Sequence, residues 1–195
     1  HEMKEKKNMD WTIVRSAPIF GPYQMYGAFH IYYMIRRMGN MFVPVIKPAK
    51  HKLMMPMIHV EDLVAAALYL YDKDVARHET YNIVCDTPSQ EEYLEFICQE
   101  LAVPYLTVRV RWTYYKIFAK FFLKAVTWQV NTAKKHNCRP RMDIPMAEYV
   151  THNYYFSNAK LLATGFKFEY QDWVKGNRQT LRWYIDNGWF QSEDF

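Results

Sequence analysis

Over the first eighty or so residues, apolar runs and polar breaks alternate in a way that predicts strand, helix and strand in turn. Ile13 to Phe20 is a short β-branched and apolar run closed by Gly21-Pro22, the pattern of a strand buried on both faces of a parallel sheet. Lys4 to Asn8 reads as the tail of a helix before it. From Gly27 onward Phe29, Tyr32, Tyr33, Ile35 and Met38 recur at helical spacing, and Arg36-Arg37 followed by Gly39 supply a cationic last turn and a stop. Met41 to Pro56, with three prolines, reads as short strands and loop. Asp62 to Tyr71 is apolar and alanine-rich, so a helix packed on the sheet is expected, and Tyr81 to Val84 returns as a strand.

Helices dominate the rest. Ser89 and Glu92 have the spacing of a capping box, in which each side chain satisfies the other residue's free backbone N–H, and they launch a helix over Glu91 to Leu101. Lys160 to Thr164 predicts a short helix closed by Gly165, and Val174 to Asp186 a final one stopped by Asn187-Gly188. Alternating strands and helices followed by helices favour an α/β fold, with no internal repeat and no linker.

The chain has 195 residues, enough for one domain with a proper core. Half of its residues are hydrophobic and 17% are aromatic, which excludes a disordered chain. No apolar run approaches the roughly 20 residues that a spanning helix needs, and the charged lead His1 to Asp10 does not look like a signal peptide. Cys85, Cys98 and Cys138 are widely spaced and form no Cys-x-x-Cys pair, as expected of reduced thiols in a cytoplasmic protein. The seven histidines form no metal-binding pattern, and no metal is expected.

Five short motifs stand in order: Asp10-Trp11-Thr12-Ile13-Val14-Arg15-Ser16-Ala17-Pro18-Ile19-Phe20-Gly21-Pro22; Ile58-His59-Val60-Glu61-Asp62-Leu63-Val64-Ala65; Tyr81-Asn82-Ile83; Phe156-Ser157-Asn158-Ala159-Lys160 through Gly165-Phe166; and Arg182-Trp183-Tyr184 with Gly188-Trp189. Together they resemble the second half of an extended short-chain dehydrogenase/reductase, the family of NAD-dependent epimerases/dehydratases and 3-beta-hydroxysteroid dehydrogenase-like enzymes. The resemblance implies an α/β chain, the C-terminal part of a Rossmann-type parallel sheet plus a smaller, mostly helical substrate-binding lobe. Residues of about 1–38 and 57–84 would complete the sheet, and about 39–56 and 85–195 would form the lobe. It also implies NAD or NADP as cofactor, and leaves room for a homodimer.

The family's first half has no counterpart in the chain. A phosphate cradle needs closely spaced glycines so that backbone N–H groups can reach the pyrophosphate. The six glycines (Gly21, Gly27, Gly39, Gly165, Gly176, Gly188) never fall at that spacing. The family's catalytic Tyr-x-x-x-Lys would precede His1. The single match, Tyr69 to Lys73, lies at the end of what the family keeps as an ordinary surface helix, so no catalytic residue is assigned. This chain by itself is expected to be inactive and poorly stable.

By resemblance, Ser16 and Ala17 would lie against the nicotinamide. Many sugar-nucleotide epimerases have asparagine where this chain has Pro18, and an arginine for the diphosphate where it has Met55. Proline offers no side-chain donor, and arginine can give two parallel hydrogen bonds to a phosphate that methionine cannot. Met54, Met55 and Met57, with Pro18, are therefore candidate lining for an apolar hydroxyl or keto substrate, sterol- or lipid-like, with core packing as the alternative for the methionines. A sugar-nucleotide epimerase or dehydratase with other polar residues, and a non-catalytic binding or membrane-surface module, are the competing readings.

Charge adds one more feature. The net charge is only +5, yet Arg109 to Arg141 holds nine Lys/Arg and no acid. Lys116, Lys120 and Lys124 share one helix face, with Phe118, Phe121, Phe122, Ala125 and Trp128 expected opposite. Such a helix suits peripheral contact with an anionic membrane, unless the lobe buries its aromatics internally. No nucleic-acid reader motif is present, so nucleic acid is not an expected partner. His59 is expected to bridge strand and loop, and Asp62 to cap the helix that follows.

Overall fold

In the computed structural model, which describes residues 9–138, 140 and 142–191, the expected first strand is two strands. Strand β1 (Thr12–Ser16) ends before Ala17-Pro18, and β2 (Ile19–Phe20) follows. Pro18 has no N–H to give a neighbour, so the ladder changes partner there. The expected helix tail over Lys4 to Asn8 lies outside the described residues, as do Arg139 and Arg141.

The remaining strands are β3 (Val43–Pro48), β4 (Ile58–His59), β5 (Glu79–Ile83) and β6 (Tyr105–Val110). The helices are α1 (Ala28–Met38), α2 (Val60–Tyr71), α3 (Gln90–Glu100), α4 (Trp112–Lys135), α5 (Ile144–Thr151), α6 (Ala159–Leu162) and α7 (Trp173–Asp186), with 3-10 turns at Asp74–Ala76 and Trp189–Gln191. Among the described residues the strand pairs β1 with β5, β2 with β4 and β3 with β6 are all parallel. Strand β6 was not expected from the sequence.

The chain divides into two units. The first comprises the described residues up to 29, residues 56–87 and residues from 156 on, and the second comprises 30–55 and 88–155. Residues 156–191 thus fold with the first unit, whereas the sequence reading put everything from 85 onward in the lobe.

In the first unit, α2 joins β4 to β5 and packs its buried Ala66 and Leu70 on the strands. The segment around α6 runs beside β5: Asn158 Nδ2 donates to the Val84 carbonyl at 2.8 Å and Lys160 Nζ to the Thr80 carbonyl at 3.0 Å. Helix α7 lies against β2 at Gly176, where an added Cβ would come within 3.0 Å of the Phe20 ring. Two turns further along α7 the fully buried Tyr184 hydroxyl donates to the carbonyls of Gly21 and Gln24, both at 2.9 Å. Phe29, Trp183, Trp189 and Phe190 pack around the Tyr184 ring. Gly21 itself has φ +150, and a Cβ there would meet Val60 Cγ1 at 2.6 Å. Only glycine lets the chain turn so close to the start of α2.

In the second unit α3 packs on the pair β3–β6. Its capping box forms as expected: Ser89 Oγ accepts from the Glu92 N–H at 3.4 Å, and Glu92 Oε2 accepts from the Ser89 N–H at 2.8 Å. Pro44 and Pro48 sit in β3, which among the described residues pairs with β6 alone, so neither removes a bond from a second neighbour there.

The long helix α4 has three faces. Tyr115 and Ala119 are buried with Leu53, and Val126 and Val130 with Ala147 of α5. Lys116, Lys120 and Lys124 are exposed on the second face. The expected aromatics divide: Phe122 packs in the cluster with α5, whereas Phe118, Phe121 and Trp128 are exposed.

Candidate functional site

Ligands of open parallel sheets bind beyond the carboxyl ends of the strands, where loops diverge and backbone groups are free. In the first unit that end is occupied by Ser16, Ala17 and Pro18. Ser16 is the last residue of β1 and is exposed. Ala17 is buried and its N–H donates to the Ile83 carbonyl at 3.0 Å, while the Pro18 carbonyl accepts from the Ile58 N–H at 3.0 Å. Backbone bonds to two different strands therefore fix three consecutive candidates at one edge. Ser16 and Ala17, the candidates for the nicotinamide end of a dinucleotide, differ here: Ser16 is exposed at this edge, whereas the Ala17 side chain is buried. They offer nothing for its pyrophosphate, since none of the six glycines forms a phosphate turn.

The methionine candidates fall in different units. Met57 belongs to the first and is buried; its carbonyl accepts from the Cys85 N–H at 2.9 Å, and Asn177 Nδ2 approaches its sulfur at 3.3 Å. Met54 and Met55 belong to the second. Met54 is half-buried and its N–H donates to Asn153 Oδ1 at 2.8 Å, while Met55 is buried and its N–H donates to the Pro88 carbonyl at 2.9 Å.

His59 and Asp62 exchange their expected roles. His59, fully buried, is the residue that caps α2: its Nδ1 accepts from the Glu61 N–H at 3.4 Å. Its ring lies between Phe20 and Tyr170, with centroids at 5.2 and 4.0 Å, and Nε2 is buried without a partner. Burial lowers its pKa against the opposing pull of Glu61 and Asp62, so the ring is held neutral. Asp62 does not cap the helix. Its two carboxylate oxygens accept the N–H groups of Glu169 and Tyr170, each at 2.8 Å, and tie α2 to the loop before α7. A carboxylate with two backbone donors one turn into a helix serves tertiary structure, which the motif alone does not reveal.

The Tyr-x-x-x-Lys match is structural. The Tyr69 hydroxyl donates to the Thr164 carbonyl at 2.6 Å, and Lys73 Nζ stands 4.6 Å from the Tyr69 ring centroid. Cys85 is buried, its Sγ donates to the Met57 carbonyl at 3.1 Å, and burial pushes its thiol up to about 12, so it is no nucleophile at neutral pH. Among the described residues no three His, Cys, Asp or Glu side chains gather as a metal site.

One pair was missed from the sequence. Glu91 on α3 is buried, with Lys47 Nζ of β3 at 3.6 Å from Oε1 and no partner for Oε2. Burial, with the Glu91 charge second, pushes the Tyr115 phenol up to about 12. A buried acid at the start of a helix reads in sequence as an ordinary first-turn acid, so only the placement of β3 reveals it.

Two depressions mark the first unit. One of about 490 Å³ runs along α7 and is lined by Lys175, Arg178, Arg182 and Trp183 among others; the other, of about 500 Å³, lies between the start of β1 and the end of α2, beside Trp11, Thr12, Leu70 and Tyr71. Neither includes Ser16, Ala17 or Pro18.

No protein-family model and no curated relative matches the sequence. Solved structures match its fold. A UDP-glucose 4-epimerase with UDP-glucose from Thermotoga maritima aligns at a TM-score of 0.59 and 12% identity, over 95% of this chain and 49% of its own. A dTDP-glucose 4,6-dehydratase double mutant from Streptomyces venezuelae, with NAD bound, aligns at 0.59 and 16% identity, over 97% of this chain and 48% of its own. The protein RMD from Pseudomonas aeruginosa, complexed with NADPH, aligns at 0.52 and 16% identity, over 92% and 47%. The chain spans about half the length of these structures and has the partial Rossmann-like fold of extended short-chain dehydrogenases/reductases.

Proposed function

We propose that this chain is the C-terminal portion of an NAD(P)-dependent oxidoreductase of the extended short-chain type, acting on an apolar hydroxyl or keto substrate. The observation that carries the enzyme class is a fold shared with NAD- and NADPH-bound structures over nearly the whole chain. When bound, the nicotinamide would exchange a hydride with the substrate carbon. Ser16 and Ala17 would flank its ring and Pro18 would line the substrate space beside them, with no side-chain donor for a sugar or a diphosphate; Met55, where an arginine would serve a diphosphate, offers none either. The proton would be handled by a tyrosine carried on the other half of such an enzyme.

A second reading, a sugar-nucleotide epimerase or dehydratase, draws on the neighbours that carry those names.

The test is nicotinamide absorbance with the intact protein, NAD or NADP, and two substrate sets, sterol-like alcohols and UDP- or dTDP-sugars. Turnover of the apolar set is the expected result. Tight binding of a sugar nucleotide, with no response to sterol-like ligands, would overturn the apolar reading in favour of the second. No nicotinamide binding by the intact protein would overturn both.

A further inference from the structure

We infer that the outer face of α4 docks on an anionic phospholipid surface. The inference rests on the second unit alone and holds whichever substrate the enzyme takes. Tyr114, Ile117, Phe118, Phe121 and Trp128 recur at three- and four-residue intervals, which places them on one face of the helix. They are 60%, 49%, 48%, 67% and 72% exposed, so the helix leaves an aromatic stripe in water although its opposite side is packed on Leu53 and α5.

Beside the stripe runs the exposed row Lys116, Lys120 and Lys124, and the 24 residues of α4 include no acid. Exposed Arg109 and Arg111 precede the helix, and exposed Lys134 and Lys135 close it. Charge selects the occupant. A second copy of this face would bring a second lysine row alongside the first, with no acid on either helix to offset it. An anionic lipid surface opposes the lysines with unlike charge, while Tyr and Trp rings suit the boundary between headgroups and acyl chains. Among the described residues no helix is long and apolar enough to cross a membrane, so α4 would lie on the surface, over a length of roughly 36 Å.

The test is flotation of the intact protein with vesicles of phosphatidylcholine containing about one third phosphatidylserine, and with vesicles of phosphatidylcholine alone, at low and high salt. Binding to the anionic vesicles at low salt, released by salt, is expected. The variant Lys116→Glu/Lys120→Glu/Lys124→Glu should bind roughly a hundredfold more weakly or worse, and Phe121→Ser/Trp128→Ser about tenfold more weakly. Both sets change exposed positions, and far-UV circular dichroism checks that the fold is kept. The inference is overturned if wild type stays unbound at low salt, if the lysine variant floats like wild type, or if neutral vesicles bind equally well. It is also overturned if sedimentation shows self-association that Phe121→Ser/Trp128→Ser abolishes while vesicles are ignored, since a second copy would then cover the face.

Discussion

Two groups of aromatic residues, one in each unit, are used in opposite ways. In the first, Tyr184 is sealed among Phe29, Trp183, Trp189 and Phe190, and its hydroxyl satisfies two carbonyls of the turn after β2. In the second, α4 carries Phe121 and Trp128 into solvent beside a lysine row. Aromatic abundance in a sequence therefore says how much apolar area exists. Whether that area stabilises the fold or is left for another surface depends on whether a ring has a fixed polar partner and neighbours around its rim.

The largest effect should come from removing the sealed ring. Tyr184→Ala is expected to lower unfolding free energy by about 4 kcal/mol in a urea titration, because a large cavity opens and two carbonyls lose their donor. Trp128→Ala should change it by less than about 0.5 kcal/mol. Equal losses for the two would break the comparison.

Asp62→Ala should cost about 3 kcal/mol, since the N–H groups of Glu169 and Tyr170 both lose a charged acceptor. A loss below about 1 kcal/mol would mean that the loop before α7 holds itself in place.

A smaller effect concerns pH. The pKa of His59 is lowered in the folded chain, so the unfolded chain binds a proton that the folded one refuses. Stability should therefore fall as pH drops below about 6.5 towards the folded value, and hold above it. Thermal unfolding between roughly pH 7 and 5 checks this, and His59→Gln should flatten that part of the profile. The smallest effect is expected from Lys116→Glu/Lys120→Glu/Lys124→Glu, which should leave stability within about 0.5 kcal/mol of wild type at moderate salt, because all three side chains are exposed.

Local signals were read well where chemistry is local. The Ser89–Glu92 capping box, the stop of α7 at Asn187 and the apolar faces of α1, α3 and α7 depend on residues within a few positions of one another. Roles that depend on partners far along the chain were hidden. Asp62 finds its donors more than a hundred residues away, and nothing near it distinguishes a helix cap from a tertiary tie. Strand β6 escaped notice because Arg109 drew it into the basic segment, although Tyr105 to Val110 has the β-branched and aromatic content of a strand. At the candidate site, motif order placed Ser16, Ala17 and Pro18 on one strand end. It could not show that Met57 and the pair Met54 and Met55 belong to different units.

The cysteines give the comparison a clock. Cys85 sits in the first unit and Cys98 in the second, both buried and both with thiols raised chiefly by burial, whereas Cys138 just beyond α4 is exposed. A thiol-reactive label should therefore mark Cys138 at once and each buried sulfur only when its own unit opens. Peptide mapping of the label against time would then time the opening of the two units separately, in one tube and without a single substitution.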